Sequence, residues 1–414
     1  MKIQSLRGML DLFPEDLDRW HLLESKLSEI FHSFDIHEIR TPLLESTELF
    51  SRSVGNSTDI VNKELYSFLD RNEESISLRP EGSASVIRAI IQKKQDQEKH
   101  KLWYEGPMFR YERPQRGRFR QFHQVGVEYL GFEEGIAEYE LISMVLQINK
   151  LIGISEYKIK INHLGDQIAK EGFCNSLVSF LQPHVNELHE KDQARLKSNP
   201  LRVLDSKEKS TQALLKVGPK FQDFISDASN NFLQNLVDAY SDHCDIQIDQ
   251  SLVRGLDYYT GIVFEAVSQD LGAQDAFLGG GRYDNLSKQL GGKDMHAIGF
   301  AIGVERIIEL LGIENINQPM KVGFIIVGEQ IHKKTYKIAN DLRGANNSII
   351  LDTFLNTGSL KSQLRRANKN NCSYVIIVGE EELKNDQVIW KDLDAGGEQE
   401  LLTSKEAIEK YTNL

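Results

Sequence analysis

No apolar run in this chain approaches the roughly 18 residues that a helix needs to cross a bilayer. The first twenty residues, MKIQSLRGMLDLFPEDLDRW, hold no apolar segment of the kind a secretory signal requires. Neither a membrane nor an export role is expected. Cysteine is scarce as well. Cys174, Cys244 and Cys372 stand far apart, form no CxxC pair and cannot all be bridged. Reduced thiols in a cytoplasmic protein are therefore expected, in place of disulfides or zinc. The eleven histidines contain no HExxH spacing. No GxxxxGK followed by Ser or Thr is present, and no GxGxxG follows a strand pattern. Both familiar glycine loops for phosphate are thus missing. An excess of positive charge is missing too: 49 Lys+Arg face 61 Asp+Glu, for a formal net charge of -12. That argues against a nonspecific nucleic-acid coat, though a local patch can still select one partner.

What the chain does hold is length and pattern. Its 414 residues exceed one ordinary core and predict two or three domains. Leu17, Trp20, Leu23, Leu27, Ile30, Phe31 and Phe34 recur at helical spacing, so residues 16–35 are expected to form an amphipathic helix. HEIRTPLLE (37–45) reads as a short strand interrupted by Pro42, which removes a ladder donor and points to an edge or bulge position. SISLRPEGSASVIRAIIQ (75–92) reads as strand, turn and helix, the helix beginning near Gly82 and Ser83. KLWYEGPMFRYE (101–112) and FRQFHQVGVEYLG (119–131) form a hairpin pattern around Pro114 and Gly117, and 134–153 is a further amphipathic helix. From about 166 to 245 the chain turns polar, helix-leaning and poor in aromatics, the texture of an inserted helical subdomain. Strand-like sequence resumes at SLVRGLDYYTGIVFEAV (251–267), FLGGGRYDNL (277–286) and HAIGFAIGVERIIELLG (296–312). NINQPMK (315–321) marks a boundary. Beyond it VGFIIV (322–327), SIIL (348–351) and YVIIVG (374–379) alternate with helical stretches, as in a small α/β domain. Residues 321–414 carry 13 Lys+Arg against 13 Asp+Glu, so the negative excess lies in residues 1–320.

Against that acidic background, RYERPQRGRFRQFHQ (110–124) places five arginines among eleven positions and interleaves them with aromatics. Side chains alternate faces along a strand. Arg120, Phe122, Gln124, Gly126 and Glu128 therefore share one face of the second strand. Phe119, Gln121, His123, Val125, Val127 and Tyr129 share the other. A guanidinium, a flat ring, an amide, a gap and a carboxylate suit a site for an anionic nucleotide and a polar substrate. On the residues alone, an exposed hairpin with solvated arginines fits as well. Other motifs read modestly by themselves: GGGRYD (279–284) as a tight glycine turn, VERII (304–308) as a surface arginine beside a core isoleucine pair.

Together these segments resemble the class II aminoacyl-tRNA synthetases. FRYERPQRGRFRQFHQVGVEYLG (109–131) resembles their motif 2, GFAIGVERI (299–307) their motif 3, and HEIRTPLLE their motif 1. LVRGLDYYTG (252–261) and GGGRYD resemble signatures of the histidyl-tRNA synthetases, and SNPLRVLDSK (198–207) is similar to that family too. The match runs in order over nearly the whole chain. The resemblance implies an α+β fold: a class II antiparallel-sheet catalytic core over 1–320 with a helical insertion at about 166–245, then an α/β anticodon-binding domain over 321–414. It implies activation of L-histidine by ATP, with substrate-borne Mg2+, to histidyl-adenylate and pyrophosphate. Transfer of histidine to the 3′ end of tRNA(His) follows. A cytoplasmic homodimer without a dedicated protein metal site is implied.

Carried over residue by residue, the resemblance puts Arg110 and Arg254 on the α-phosphate. Arg118 and Arg306 go to the outer phosphates, and adenine lies between Phe122 and Arg306. Arginine suits the task because its charge is permanent and its fork matches phosphate oxygens. Histidine falls to Glu81, Gly82, Ser83, Arg110, Gln124, Glu128, Arg254, Tyr258, Tyr259 and Tyr283. These offer acceptors for the imidazole N–H groups and the α-ammonium. Arg113, Gln115 and Arg116 are implied at the tRNA acceptor end. Two positions depart from the pattern. Ser83 stands where threonine is frequent and Asn285 where glycine is frequent, and neither removes a charge. Arg120 shares the ligand face by parity, but a supporting or solvent role fits it equally. Two rival readings come from other classes. A catalytically silent regulatory subunit of ATP phosphoribosyltransferase would bind histidine without charging tRNA. Such paralogues typically lose part of the arginine set and the last domain. A plain RNA-binding protein would not line its arginine face with Gln124 and Glu128, since a carboxylate repels phosphate.

Overall fold

In the computed structural model, the alternation along residues 121–130 sends Val125, Val127 and Tyr129 into a core and leaves Gln124, Gly126 and Glu128 on the opposite face. The structure describes residues 3–55, 58–154, 156–272, 275–311, 319–328, 333–354, 358–394 and 398–414. The chain divides into two compact units, Met1–Asn315 and Ile316–Leu414. The boundary expected at 315–321 falls largely on 312–318, outside the described residues.

The first unit begins with α1 (Pro14–Ser33), β1 (His37–Glu38), β2 (Leu44–Ser46), α2 (Thr47–Val54), β3 (Ser67–Leu69), β4 (Ser75–Leu78) and α3 (Ser83–Gln92). The hairpin β5 (His100–Phe109) and β6 (Gln121–Leu130) follows, then α4 (Ile136–Ile152) and β7 (Lys158–His163). The polar stretch forms α5 (Gln167–Leu181), α6 (Glu190–Ser198), α7 (Lys209–Val217) and α8 (Asp227–Tyr240). The unit closes with β8 (Asp245–Ile248), β9 (Thr260–Val267), β10 (Ala276–Arg282), α9 (Leu286–Gln289), β11 (Ala297–Gly303) and α10 (Val304–Leu310). The main sheet runs β1-β5-β6-β11-β10-β9-β7-β8, antiparallel from β5 to β7 with a parallel pair at each edge.

One sheet face packs on the apolar stripes of α1 and α4, where Trp20, Leu27, Leu141 and Val145 meet Val127, Phe264 and Ile298. The apolar area withdrawn there drives this layer together. The other face carries the polar side chains of β6 and the rings of Tyr258, Tyr259 and Tyr283, with α3 and the insertion helices packed around them.

The strand expected over 37–45, interrupted at Pro42, is found in two pieces: β1 at the edge of the main sheet and β2 in a separate sheet, β2-β4-β3. Pro42, between them, cannot donate to a ladder. Two expectations change. The hairpin strands are shorter than expected. The Arg110 N–H closes on the Arg120 carbonyl at 2.9 Å, and beyond it Glu112 turns back onto Arg110. Finally, only Thr260–Val267 of the strand-like stretch 251–267 is a strand; 252–259 is loop.

The second unit holds β12 (Lys321–Ile326), α11 (Lys333–Ala345), β13 (Ile350–Asp352), α12 (Leu360–Lys369), β14 (Tyr374–Val378), α13 (Glu380–Lys384), β15 (Gln387–Asp392), β16 (Gln399–Thr403) and α14 (Ser404–Thr412). Its sheet runs β13-β12-β14-β15-β16, parallel over the first three strands and antiparallel after them. Val322, Phe324 and Val378 face α11 and α14, while Ile325, Val375 and Ile377 face α12. The β15–β16 hairpin and α14 were not anticipated. The three cysteines are free thiols. No described helix is long and apolar enough to cross a membrane.

Candidate functional site

Two adjoining hollows, of about 70 and 300 Å³, open over the polar face of β6. Arg110, Gln124, Arg254, Gly279 and Ala301 line both.

The smaller hollow is walled by Glu81, Ser83, Tyr104, Tyr258 and Tyr259. Behind that wall Glu128, 1% exposed, accepts from Ser83 Oγ at 2.5 Å and from the Tyr283 hydroxyl. Removal from water pushes Glu128 up to about 8, against the pull of these two hydrogen bonds. Glu81 accepts from the N–H groups of Ser83 and Ala84 at 2.7 and 2.9 Å, so its carboxylate closes the first turn of α3. Burial raises its pKa, while those N–H groups and Arg110 oppose the rise. The rings of Tyr258, Tyr259 and Tyr283 stand 4.7 to 6.4 Å apart, and burial raises all three phenols. Two buried polar atoms here have no protein partner: Gln124 Oε1 and Arg254 Nε. Leaving such groups unpaired costs about 1–3 kcal/mol each. One is an acceptor and the other a donor, and the residues that carry them line both hollows.

The larger hollow gathers Arg110, Arg118, Arg254 and Arg306 around Phe122, with Glu112 and Glu265 beside them. Arg110 Nε donates to the Pro80 carbonyl at 2.9 Å, and its guanidinium lies 5.2 Å from the Phe122 ring centre. Arg254 pairs with Glu265. A Cβ on Gly279 would fall 2.2 Å from the Arg254 guanidinium, so only glycine leaves the arginine its seat. Arg118 pairs with Glu112 at 2.9 Å. Arg306 donates to the Gly117 and Ala276 carbonyls. Burial, and then Arg118 nearby, depress its pKa. Four guanidiniums in one hollow repel each other, and an anion placed among them relieves that repulsion.

The remaining predicted residues are placed as follows. Gly82 and Gly126 flank the Tyr104 ring, which occupies the space a Cβ on either would need. Arg113, Gln115 and Arg116 sit exposed in the hairpin loop. Arg116 pairs with Glu309, and Gln115 bridges Arg118. Arg120 is not on the ligand face. Regular pairing begins at Gln121, so parity does not extend to it. Its guanidinium stacks 3.8 Å from the Tyr111 ring centre, its Nε donates to the Glu112 carbonyl, and its N–H donates to Gly8. It holds the loop and the N-terminal segment together.

Tyr104, Glu112 and Glu265 were missed. Tyr104 lies directly opposite Gly126 in the β5–β6 register, so parity applied to the first strand would have found it. Glu265 is joined to Arg254 from a different element, and no local signal marks it. The SNPLRVLDSK segment also reaches the site indirectly. Asn199 Nδ2 donates to Asp257 Oδ1 at 2.9 Å, and Lys170 Nζ of α5 donates to the carbonyls of Asp257 and Tyr259 at 2.9 and 3.2 Å. Both grip the loop that carries Arg254, Tyr258 and Tyr259.

A roomier concavity, about 940 Å³, lies between α5 and the strands β9 and β10. Its buried charges are satisfied internally: Arg282 by Glu138, Asp284 and the Phe132 carbonyl, His163 by Glu134 and the Gly165 N–H. Among the described residues, it offers no buried unpaired donor or acceptor, unlike the β6 hollows. Among the described residues, no group of three or more His, Cys, Asp or Glu is placed to hold a metal.

The chain is similar to known proteins over its length. The family model of histidyl-tRNA synthetase matches residues 8–307, and the model of the anticodon binding domain matches 321–414. The chain is 41% identical over 408 residues to the histidine–tRNA ligase of Francisella philomiragia subsp. philomiragia, covering 96% of each chain. It is 41% identical over 424 residues to that of Listeria innocua serovar 6a, covering 100% of this chain and 99% of the other. Its fold is similar to that of apo S. aureus histidyl-tRNA synthetase, with a TM-score of 0.81 and 31% identity over 99% of this chain and 100% of that one.

Proposed function

The chain belongs to the histidyl-tRNA synthetase family, and from that premise we propose how its residues share the work. It is a histidine–tRNA ligase, an aminoacyl-tRNA synthetase that activates histidine with ATP and passes it to tRNA. A silent regulatory role is less supported, since the curated relatives are ligases and the arginine set is whole.

In our reading residues 1–320 form the catalytic domain, with the insertion at about 166–245, and 321–414 meet the anticodon arm of tRNA(His). The histidine carboxylate attacks the α-phosphorus of ATP, a new O–P bond forms, and pyrophosphate leaves. Negative charge on the phosphoryl oxygens must be stabilised, and preorganised guanidiniums do this without reorganising. Arg110 and Arg254 serve the α-phosphate, Arg118 and Arg306 the outer phosphates, and Phe122 stacks on adenine opposite Arg306. The triphosphate brings Mg2+, for which Glu112 and Glu265 offer hard oxygen ligands. Histidine lies in the smaller hollow. Glu128, Glu81, Gln124, Ser83, Tyr258, Tyr259 and Tyr283 answer its imidazole and ammonium hydrogens, and Gly82 lets the backbone come close. Amino acids without those donors leave buried acceptors unpaired and are rejected. Arg113, Gln115 and Arg116 stand where the tRNA end would arrive. We read the protein as a cytoplasmic homodimer; the exposed apolar side chains Leu43, Leu44, Phe68 and Leu69 on and beside β2 and β3 are compatible with a second copy.

The observation that carries these assignments is that Gln124 and Arg254, each with an unpaired buried polar atom, line both the acidic and the arginine-lined hollow. Arg110→Ala and Arg254→Ala should each lower histidine-dependent pyrophosphate–ATP exchange by about 10²–10⁴-fold with unchanged circular dichroism. Exchange at the parent rate would remove those roles.

A further inference from the structure

β6 outlasts its neighbour at one end. β11 stops at Gly303, opposite Gln124, and turns into α10, so His123 lies one residue beyond the paired span. Its backbone N–H needs an acceptor from elsewhere. Glu305, in the first turn of α10, supplies one. The two carboxylate oxygens lie 2.9 and 3.0 Å from the His123 backbone nitrogen, and the first also lies 3.0 Å from His123 Nδ1. A carboxylate only accepts, so Nδ1 carries the hydrogen. One side chain of α10 thus grips both the backbone and the ring of one residue of β6. The grip is sheltered. The two side chains are 23% and 17% exposed, and the Trp20 ring of α1 stands edge-on to the imidazole with 4.6 Å between centres.

Its position gives it a consequence for the site. His123 follows Phe122, and Glu305 precedes Arg306. Phe122 and Arg306 line the larger hollow, whereas His123 is on the opposite face of the sheet and lines neither hollow among the described residues. The two walls belong to different elements, so the gap between them depends on what joins β6 to α10. Val304 and Ile307 bury α10 in the core. Apolar burial holds a helix down but has no direction. The Arg306 side chain itself reaches the Gly117 carbonyl at 3.2 Å, in the hairpin loop. The directional link to the strand is the Glu305–His123 pair. Successive helical side chains point about 100° apart. Fixing Glu305 against β6 therefore also fixes where Arg306 departs from the helix.

We propose that His123 and Glu305 are positioning residues for ATP: their hydrogen bonds set the distance and rotation of α10 against β6, and with them the slot between Phe122 and Arg306 that takes the adenine ring. This rests on the ligase reading above, which places adenine there, and extends it to a residue on the far face of the sheet. A slot already held at its bound width spends less of the binding energy on ordering its walls.

Full-length His123→Phe and His123→Asn separate the hydrogen bond from the packing. Phenylalanine keeps a ring against Trp20 and removes the N–H donor. Asparagine loses the ring but keeps an amide N–H at the same number of bonds from Cβ as Nδ1. In histidine-dependent pyrophosphate–ATP exchange, His123→Phe should raise the KM for ATP about tenfold or more, with kcat and the KM for histidine within about threefold of the parent. His123→Asn should recover most of the ATP affinity even though its melting midpoint falls further. Glu305→Gln and His123→Phe together should raise the KM for ATP by less than the product of their separate effects, because the two act as one unit. An unchanged KM for ATP in His123→Phe would overturn the proposal. Asparagine worse than phenylalanine for ATP would do the same, since that order follows from packing alone. Full multiplication of the two effects would show that Glu305 serves ATP without His123, and would overturn it too. No histidine-dependent exchange in the parent would instead defeat the ligase reading on which the slot depends.

Discussion

Glu128 is the buried carboxyl group to which the proposed reading gives the largest part in recognising histidine. Burial moves it from an ordinary value near 4.5 to about 8. Between those values the folded protein keeps a proton that the unfolded chain has released. The resulting stabilisation is full below about 4.5 and is lost as pH rises through 8. In the ligand-free protein, the thermal midpoint of Glu128→Gln should therefore fall less between pH 5 and 8.5 than that of the parent. The same variant should lose about 10²-fold or more in kcat/KM for histidine, because an amide offers N–H where the substrate needs an acceptor. Parallel melting profiles would mean that Glu128 is already ionised at neutrality. That Gln124 and Glu128 share a face was legible from strand alternation alone. Tyr104 was equally legible in principle, one register position away on β5. Glu265 was not, because its partner Arg254 sits in a loop whose path no local pattern sets.

Elements were read well where periodicity is long and poorly where it stops. α1, α3 and α4 lie within two residues of their expected spans because an apolar stripe over several turns leaves little choice. The error at Arg120 came from carrying a two-residue period past the last regular pair of the hairpin. The loop 252–259 reads as strand because Leu252, Val253, Tyr258 and Tyr259 are strand-favouring or apolar residue types, and they are indeed buried, yet its backbone finds partners outside the sheet. Some come from the insertion: Lys170 holds the Asp257 and Tyr259 carbonyls, and Asn199 holds the Asp257 carboxylate. Lys170 is itself buried enough for its pKa to be lowered, so its charge is kept at a cost. Lys170→Met should loosen the loop that carries Arg254 and lower the exchange kcat about tenfold. The KM for ATP should change little and the melting midpoint only modestly, since a charged hydrogen bond contributes about 1.5–3 kcal/mol. Lys170→Arg should recover part of the rate. Equal losses of rate and stability with no rescue would reduce the insertion to a structural prop.

At the scale of the whole molecule, charge and chemistry are divided between the two units. The formal -12 belongs to residues 1–320, and within it the arginines of the β6 hollows form a local exception. An acidic surround disfavours indiscriminate binding of polyanions, while in the proposed reading the cluster of guanidiniums selects small triphosphates on geometry as much as on charge. Among the described residues, every one lining those hollows lies between Glu81 and Arg306, in the first unit. The second unit has its own apolar clusters on both faces of its sheet. Activation and tRNA capture should therefore separate on truncation. A chain ending at residue 320 should keep histidine-dependent pyrophosphate–ATP exchange within a few-fold of the full protein, while its KM for tRNA in aminoacylation rises by about two orders of magnitude. The two assays on one preparation decide the matter. Loss of exchange by more than about tenfold, in a fragment that still melts cooperatively, would show that the second unit supports the chemistry as well as the grip on tRNA.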